Sequence, residues 1–461
     1  MRRWTRAAIA ASACLFSFVS FAGFATAQSD PPARVGRIGF VAGTVSYHDG
    51  EDRRWSPALL NHPFTLGSAL WTEPNGRAEW VVAGTRVRLQ GATEMQVDAL
   101  NEEQFVLRLA QGRIDIRSAD IARDRPYEIL TPRGSVRLMQ DGDYVIYAGS
   151  DRDPTSVGVR SGLAHFVDLT GSILEVRAGE TGFASGTSPF VFTVERRVPP
   201  AMPAEWAARD RQITYRPPQY IATSVTGYED LDAYGSWSNG GEYGQVWVPR
   251  TIPAGWAPYR NGRWVWVRPW GWTWVDEAPW GFAPFHYGRW AQYGGRWVWV
   301  PPARAARPVY APAVVGFVGG PGAQLSLTIG GRGPAVGWFP LGPREVYVPP
   351  YTTNRTYIRD INVTNVTNVT IIDQRIEYVE RRRDDRRDAR RDDRDDRRDD
   401  RRDDRRDARR DDRRDGGGFT FVNQRYATVV PTEAFVRSQP VSRAAVTVQA
   451  DVLARAEVAP V

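Results

Sequence analysis

Tryptophan placement constrains this chain more than any other feature. Twelve of its 18 tryptophans fall within the 63 residues from Trp237 to Trp299, and inside that stretch they alternate with smaller residues. In Trp264-Val265-Trp266-Val267, Trp270-Gly271-Trp272-Thr273-Trp274 and Trp297-Val298-Trp299-Val300 the period is two. That is the spacing at which successive side chains leave opposite faces of an extended strand, so the indoles share one face. A longer repeat is laid over the short one. Gly255-Trp256-Ala257-Pro258-Tyr259-Arg260-Asn261-Gly262-Arg263-Trp264 returns 26 residues later as Gly281-Phe282-Ala283-Pro284-Phe285-His286-Tyr287-Gly288-Arg289-Trp290. The triplet Gly-Arg-Trp appears a third time at Gly295-Arg296-Trp297. A period of this length marks a supersecondary unit copied in tandem, and the Asn-Gly and Gly-Arg pairs before the strands suit tight hairpin turns. Residues 233–301 therefore read as a β-meander of short hairpins.

The indoles have two possible uses. Large rings supply buried area that a short domain otherwise lacks. Twelve of them exceed what one small core readily hides, because each buried indole N–H also needs an acceptor. The expectation is a Trp core with a few rings left outside as a platform for a sugar ring or a peptide. The candidate binding surface is Trp264, Trp266, Trp270, Trp272, Trp274, Arg289, Trp290, Trp297 and Trp299, with Arg263 and Arg296 as further sources of polar contacts. Sequence leaves open which rings are core and which are platform.

From Val35 to about residue 198 the pattern is different but again β. Short apolar or alternating runs, such as Ala78-Glu79-Trp80-Val81-Val82, Arg86-Val87-Arg88-Leu89 and Gln104-Phe105-Val106-Leu107-Arg108-Leu109, are separated by Gly, Asn, Asp and Pro. Many short strands with hardly a helical period among them indicate a sandwich or barrel-like roll. The order of elements resembles the periplasmic domain of the FecR family. Gly39-Phe40-Val41-Ala42-Gly43-Thr44-Val45 opens the match, followed by Gly67-Ser68-Ala69-Leu70-Trp71-Thr72, Leu109-Ala110-Gln111-Gly112-Arg113-Ile114, Ile129-Leu130-Thr131-Pro132-Arg133-Gly134-Ser135-Val136 and Gly158-Val159-Arg160-Ser161-Gly162. The resemblance implies the β fold over roughly 35–185 and an envelope location. FecR proteins regulate a sigma factor through a cytoplasmic N-terminal segment and a membrane helix. Neither is read in this sequence, so the domain is expected to carry over and the anti-sigma role is not. The Trp-rich region resembles a domain family of unknown function found behind FecR-like domains, with the likeness continuing through Val336-Gly337-Trp338-Phe339-Pro340 to Pro349.

The N-terminus supports export. Arg2, Arg3 and Arg6 precede an apolar run from Ala7 to Ala25, and Ala25-Thr26-Ala27 forms an A-x-A cleavage site before Gln28. Residues 1–27 read as a secretory leader. A lipoprotein anchor at Cys14 is disfavoured, because apolar sequence runs on past it. A twin-arginine signal is disfavoured by the polar Thr5 and Arg6. After Gln28 no stretch approaches the roughly 20 apolar residues that cross a bilayer, so the mature chain is expected to lack a transmembrane helix. Cys14 is the single cysteine, which leaves a mature chain with neither disulfides nor thiolate metal sites. The formal net charge of +7 is unevenly placed: the leader and an Arg/Asp tract at 381–415 carry +3 each, so the remainder is +1. A near-neutral folded part lacks the basic face that a nucleic-acid partner requires.

The rest of the chain divides by composition. With the leader at 1–27, a FecR-like domain spans 28–200. A connector with a short helix at Pro203–Arg211 spans 201–232, where Pro203 suits a helix start. After the Trp-rich domain, 302–372 is a Pro/Gly-rich extended segment containing the run Leu325-Ser326-Leu327-Thr328-Ile329. Three successive Asn-Val-Thr triplets at Asn362, Asn365 and Asn368 match the N-glycosylation pattern, which is accidental in a bacterium, and their period of three fits no half-buried strand. Residues 373–418, nearly pure Arg and Asp from 381, are expected to be disordered or transiently helical. The tail 419–461 regains apolar residues at Phe419-Thr420-Phe421-Val422 and Ala427-Thr428-Val429-Val430, enough to pack back on an earlier domain.

No pattern of residues indicates catalysis. His48, His62, His165 and His286 stand in no metal-ligand spacing. The nucleophile-elbow, P-loop and dinucleotide patterns are absent, and Glu277 has no second carboxylate at a readable separation for glycosidase chemistry. No catalytic, metal or cofactor residues are assigned. The expectation is a mainly β, non-catalytic exported protein of a bacterial periplasm or cell surface that binds or scaffolds an envelope protein or a cell-wall glycan. Peptidoglycan binding through the Trp-rich region is the alternative reading, and envelope sensing a third.

Overall fold

The computed structural model describes residues 30–50, 54–119, 121–122, 124–168, 170–187, 189–197, 199–212, 218–304, 308–318, 334–395, 420–456 and 458–459. The expected leader, the run Leu325–Ile329, Phe419 and residues 396–418 of the charged tract lie outside them. The protein is mainly β.

Between Gly36 and Glu195 eighteen short strands form two nine-stranded sheets. Across the first, the order is Val191–Glu195, Glu180–Ser185, Thr155–Ser161, Gly142–Tyr147, Arg113–Ser118, Thr85–Leu89, Arg77–Val82, Gly36–Ala42 and Pro63–Phe64. Across the second it is Ile173–Arg177, Leu163–Val167, Gly134–Leu138, Tyr127–Thr131, Phe105–Gln111, Thr93–Leu100, Ala69–Thr72, Val45–His48 and Ser56–Pro57. Tyr127–Thr131 runs parallel to Phe105–Gln111, and the other neighbours are antiparallel.

Period-two alternation sets the sandwich. In Thr93–Leu100 the buried residues are Thr93, Met95 and Val97, and a register shift between Val97 and Ala99 resets the phase so that Leu100 also turns inward. Ile38, Trp80, Leu89, Ile114 and Ile146 of the first sheet meet Leu70, Met95, Leu107, Ile129 and Phe166 of the second in one core. Each such side chain contributes about 1.5–3 kcal/mol. Two glycines make their turns possible. Gly43 (φ +64°) and Gly162 (φ +93°) sit where a Cβ would come within 2.2 Å of Asn75 O and 2.1 Å of Tyr144 Oη.

A helix, Ala204–Gln212, lies on the first sheet. It buries Trp206 against Phe40, with ring centroids 5.0 Å apart, and brings Arg209 Nε to Glu79 Oε1 at 3.1 Å. Glu79 is fully buried and also accepts from Arg86 Nη1 (2.6 Å) and Arg88 Nε (2.9 Å). Burial alone would raise its carboxyl, but Arg86, Arg209 and Arg88 outweigh that and hold it at about 2. The same ionic cluster ties the sandwich to the Trp-rich region. Arg37 pairs with Asp230 and donates to Asn61 Oδ1 (2.6 Å), while Asn61 Nδ2 donates to Asp276 O (2.9 Å) and Ala278 O (2.7 Å). Contacts gather the described residues from Pro31 onward into one compact unit.

The Trp-rich region is built from hairpins. Gly262–Val267 pairs with Gly271–Asp276. Arg289–Tyr293 and Arg296–Val300 form a second hairpin, which Gln245–Pro249 and Gly235–Asn239 extend to four strands. The two copies of the 26-residue repeat pack on each other through matching positions. The Tyr259 and Phe285 rings meet edge to face at 4.9 Å, and Tyr259 Oη donates to Phe285 O at 2.7 Å. A three-stranded sheet of Val315–Val318, Ala335–Pro340 and Thr428–Pro431 lies against them, so the tail packs back on the Trp core.

Two helices replace the extended structure suggested by composition over 302–372. Arg355–Val363 is capped by Asn354, whose side chain accepts from Thr356 N and Tyr357 N, and it buries Tyr357, Ile358 and Ile361. Val369–Asp395 starts with a stripe of Ile372, Ile376 and Val379 that packs on Ile358. Growth from that anchored turn carries helix into the Arg/Asp tract as far as Asp395, within the segment whose composition predicts a disordered or transiently helical chain. The three triplet asparagines do three different jobs. Asn362 is buried and bonds Tyr347 N, Tyr347 O and Ile358 O. Asn365 donates to Pro301 O, and Asn368 accepts from Thr370 N at the second helix start. Among the described residues no helix is long and apolar enough to cross a membrane.

Candidate functional site

The first hairpin sets Trp264 opposite Trp274 and Trp266 opposite Trp272. Both pairs meet edge to face, with centroids 5.7 Å and 5.5 Å apart. Their fates differ. Trp264 and Trp274 are buried, whereas Trp266 is 59% exposed and Trp272 half-buried. Alternation puts Trp264 and Trp266 on one face, so the difference comes from where the covering layer stops. Phe317, Trp338 and Phe435 all lie within 5.5 Å of the Trp264 ring centre. Phe435 reaches Trp272 at 4.6 Å, and no such layer encloses Trp266.

A half-open groove of about 530 Å³ results. Its walls are Trp266, Trp272, Pro269, Pro312, Phe317, Tyr347, Pro350, Tyr351 and Phe435, with the buried rings of Trp264 and Trp270 also contributing. Among the described residues, Arg383 supplies the sole charged side chain of the lining, and it donates to Pro349 O at 2.9 Å. Gly271 (φ +83°) allows the groove to form: a Cβ there would lie 3.3 Å from Trp266 Cη2, in a backbone conformation that side chains disfavour.

The other sequence candidates are interior. Trp274, Trp290, Trp297 and Trp299 are at most 5% exposed and present no surface for a ligand. Residues 310–318, 335–340 and the tail, which its apolar runs lead one to expect packed back on an earlier domain, form a layer over this core. The indole N–H groups of Trp247, Trp274, Trp290, Trp299 and Trp338 find acceptors in Leu231 O, Asp276 Oδ2, Pro284 O, Tyr287 O and Tyr259 O, whereas the buried indoles of Trp264 and Trp270, beside the groove, find none among the described residues. Arg289 is a clamp and not a surface group. It is buried and donates to Gly288 O, Glu345 O and Asn362 Oδ1, and burial lowers its guanidinium to about 10. Arg263 reaches Glu277 at 3.6 Å, away from the groove lining.

Titratable groups near this core serve the interior. Burial pushes Asp276 up to about 8 while it accepts from Trp274 Nε1 and Ala278 N. Burial lowers His286 to about 3 and His62 to about 4, so both stay neutral across physiological pH. Among the described residues no three His, Cys, Asp or Glu side chains converge as a metal site would require. What the arrangement offers chemically is an apolar, aromatic recess whose described lining includes one cation, Arg383. Sequence reasoning missed Phe317, Tyr351, Arg383 and Phe435, which come from four other segments and carry no local signal.

Comparison with known proteins adds a family for part of this region. Residues 228–345 match DUF6600, a family of unknown function. The match covers about a quarter of the chain. It includes the Trp hairpin and Phe317, but Tyr347, Tyr351, Arg383 and Phe435 lie beyond it. Among curated proteins none matches the chain. Two crystal structures of a "putative anti-sigma factor" from Parabacteroides distasonis are similar at 15% and 14% identity. Each similarity covers 28% of this chain and 60% of the other, with a TM-score of 0.26. The chain thus spans less than two thirds of those structures, and a likeness this slight carries no functional argument.

Proposed function

We propose that this chain is a non-catalytic, exported envelope protein that acts by binding, and that its aromatic groove holds an extended, proline-containing segment of a protein partner. The observation that carries this reading is the exposure of Trp266 at the mouth of a recess lined by aromatic rings and prolines. Trp266 and Trp272 stand edge to face, one indole exposed and the other half-buried, so apolar aromatic surface is open to a partner. Polyproline II segments dock into such aromatic-lined recesses at little entropic cost, because they are extended before they bind.

The composition of the lining favours peptide over glycan. Sugar hydroxyls need several carboxylates or amides beside the stacking ring, and among the described residues the groove lining includes no Asp, Glu, Asn or Gln. Export rests on the charged, apolar and A-x-A pattern of residues 1–27. The likeness to FecR motifs in a β-sandwich region adds support for an envelope role, with sensing as a possible use of the bound partner. Parallel retention assays on immobilised proline-containing peptides and on purified peptidoglycan sacculi test the reading. Retention on the peptides alone supports it. Retention on sacculi that soluble glycan abolishes would transfer the groove to the cell wall.

A further inference from the structure

The two ends of the sandwich are finished differently. At one end the edge strands are Ser56–Pro57 and Pro63–Phe64, two residues long and each containing a proline. Short, proline-bearing edges are how sheets avoid pairing with other chains. At the other end the second sheet stops at Ile173–Arg177, which carries the exposed charges Glu175 and Arg177. The first sheet stops at Val191–Glu195, Val-Phe-Thr-Val-Glu, which has five residues, no proline and one charge at its last position. Its outward Val191 is 59% exposed. Its inward Phe192 and Val194 pack on the sandwich core but stay half-exposed, and among the described residues no further strand covers them.

We propose that this edge pairs with the same strand of a second copy of the chain, antiparallel about Thr193, joining two sandwiches through one continuous sheet. The strand is complementary to itself in that register. Phe192 faces Val194 twice, Thr193 faces Thr193, and Val191 faces Glu195, so no like charges meet. Displacement toward the C-terminus sets Phe192 against Arg196, then Glu195 against Glu195. Displacement toward the N-terminus draws Pro189, which has no N–H, into the ladder. The contact is smaller than a standard interface, so the dimer should dissociate on dilution. This inference rests on the sheet edge and is independent of the groove.

Sedimentation velocity of the full chain over a concentration series tests it, together with single cysteines placed in a Cys14→Ser background. Residues directly opposite in an antiparallel pair have Cα atoms about 4.5–5.5 Å apart, within disulfide reach. Thr193→Cys should therefore give a disulfide-linked dimer roughly ten-fold faster than Val191→Cys, whose copies lie too far apart. Thr193→Lys, an exposed change that leaves the fold intact, should make the chain monomeric. A parent chain that stays monomeric at every concentration, or a dimer in which Thr193→Cys crosslinks no faster than Val191→Cys, overturns the proposal.

Discussion

Glu79→Gln isolates the ionic cluster beneath the helix Ala204–Gln212. The substitution keeps the shape of the side chain and removes its charge, leaving Arg86 and Arg88 buried without the carboxylate that both contact. Breaking such a buried pair from one side costs about 3–5 kcal/mol. Proton linkage gives a similar figure. A fall of the Glu79 carboxyl from 4.5 to about 2 on folding is worth about 3 kcal/mol at neutral pH. Because the folded value is depressed, this stability is complete above pH 4.5 and is lost as pH falls toward 2. Urea unfolding followed by far-UV circular dichroism reads both effects. With a slope of about 2–3 kcal/mol per molar, the midpoint at pH 7 should drop by about 1–2.5 M, and the variant should lack the parent's steep loss between pH 4.5 and 2. A midpoint within about 0.2 M of the parent, or an unchanged acid limb, would refute the reasoning.

Two further substitutions test the interior. Trp274→Ala removes a ring that touches Trp264, Tyr259 and Trp338 and leaves Asp276 without its indole donor. It should cost about 3–5 kcal/mol by thermal or chemical unfolding. Asn362→Ala breaks the bonds that join Arg289, Tyr347 and Ile358, and should cost about 2–4 kcal/mol, whereas Asn365→Ala, which loses two half-buried bonds, to Pro301 O and from Thr364 Oγ1, should cost only about 1 kcal/mol in the same assay.

Much of the fold was legible because β-strands announce themselves locally. Period-two alternation located the sandwich strands and the Trp hairpins, and the 26-residue repeat identified the copied unit. The helix at Arg355–Val363 was legible too: Asn354 is a good N-cap, and Tyr357, Ile358 and Ile361 recur at helical spacing. The neighbouring Pro/Gly-rich composition masked it. The helical start of the charged tract was harder, since its support comes from contacts of Ile372 and Ile376 made before the tract begins. The site was only half legible. Alternation puts Trp264 and Trp266 on one face but cannot say where Phe435, some 170 residues later, will cover the first and leave the second bare. For the same reason Arg289 looked like a surface cation, when segments from elsewhere in the chain enclose it.

Binding of a fluorescein-labelled, proline-containing peptide, read by fluorescence anisotropy against the parent chain and Trp266→Ala, is the most direct test of the central claim. Trp266 is exposed, so its loss should leave the unfolding curve in place. If the groove binds an extended peptide, the parent should saturate and the variant should weaken by roughly ten-fold or more, the effect expected of a central aromatic contact. Equal binding by the two proteins, or no binding by either, would contradict the account.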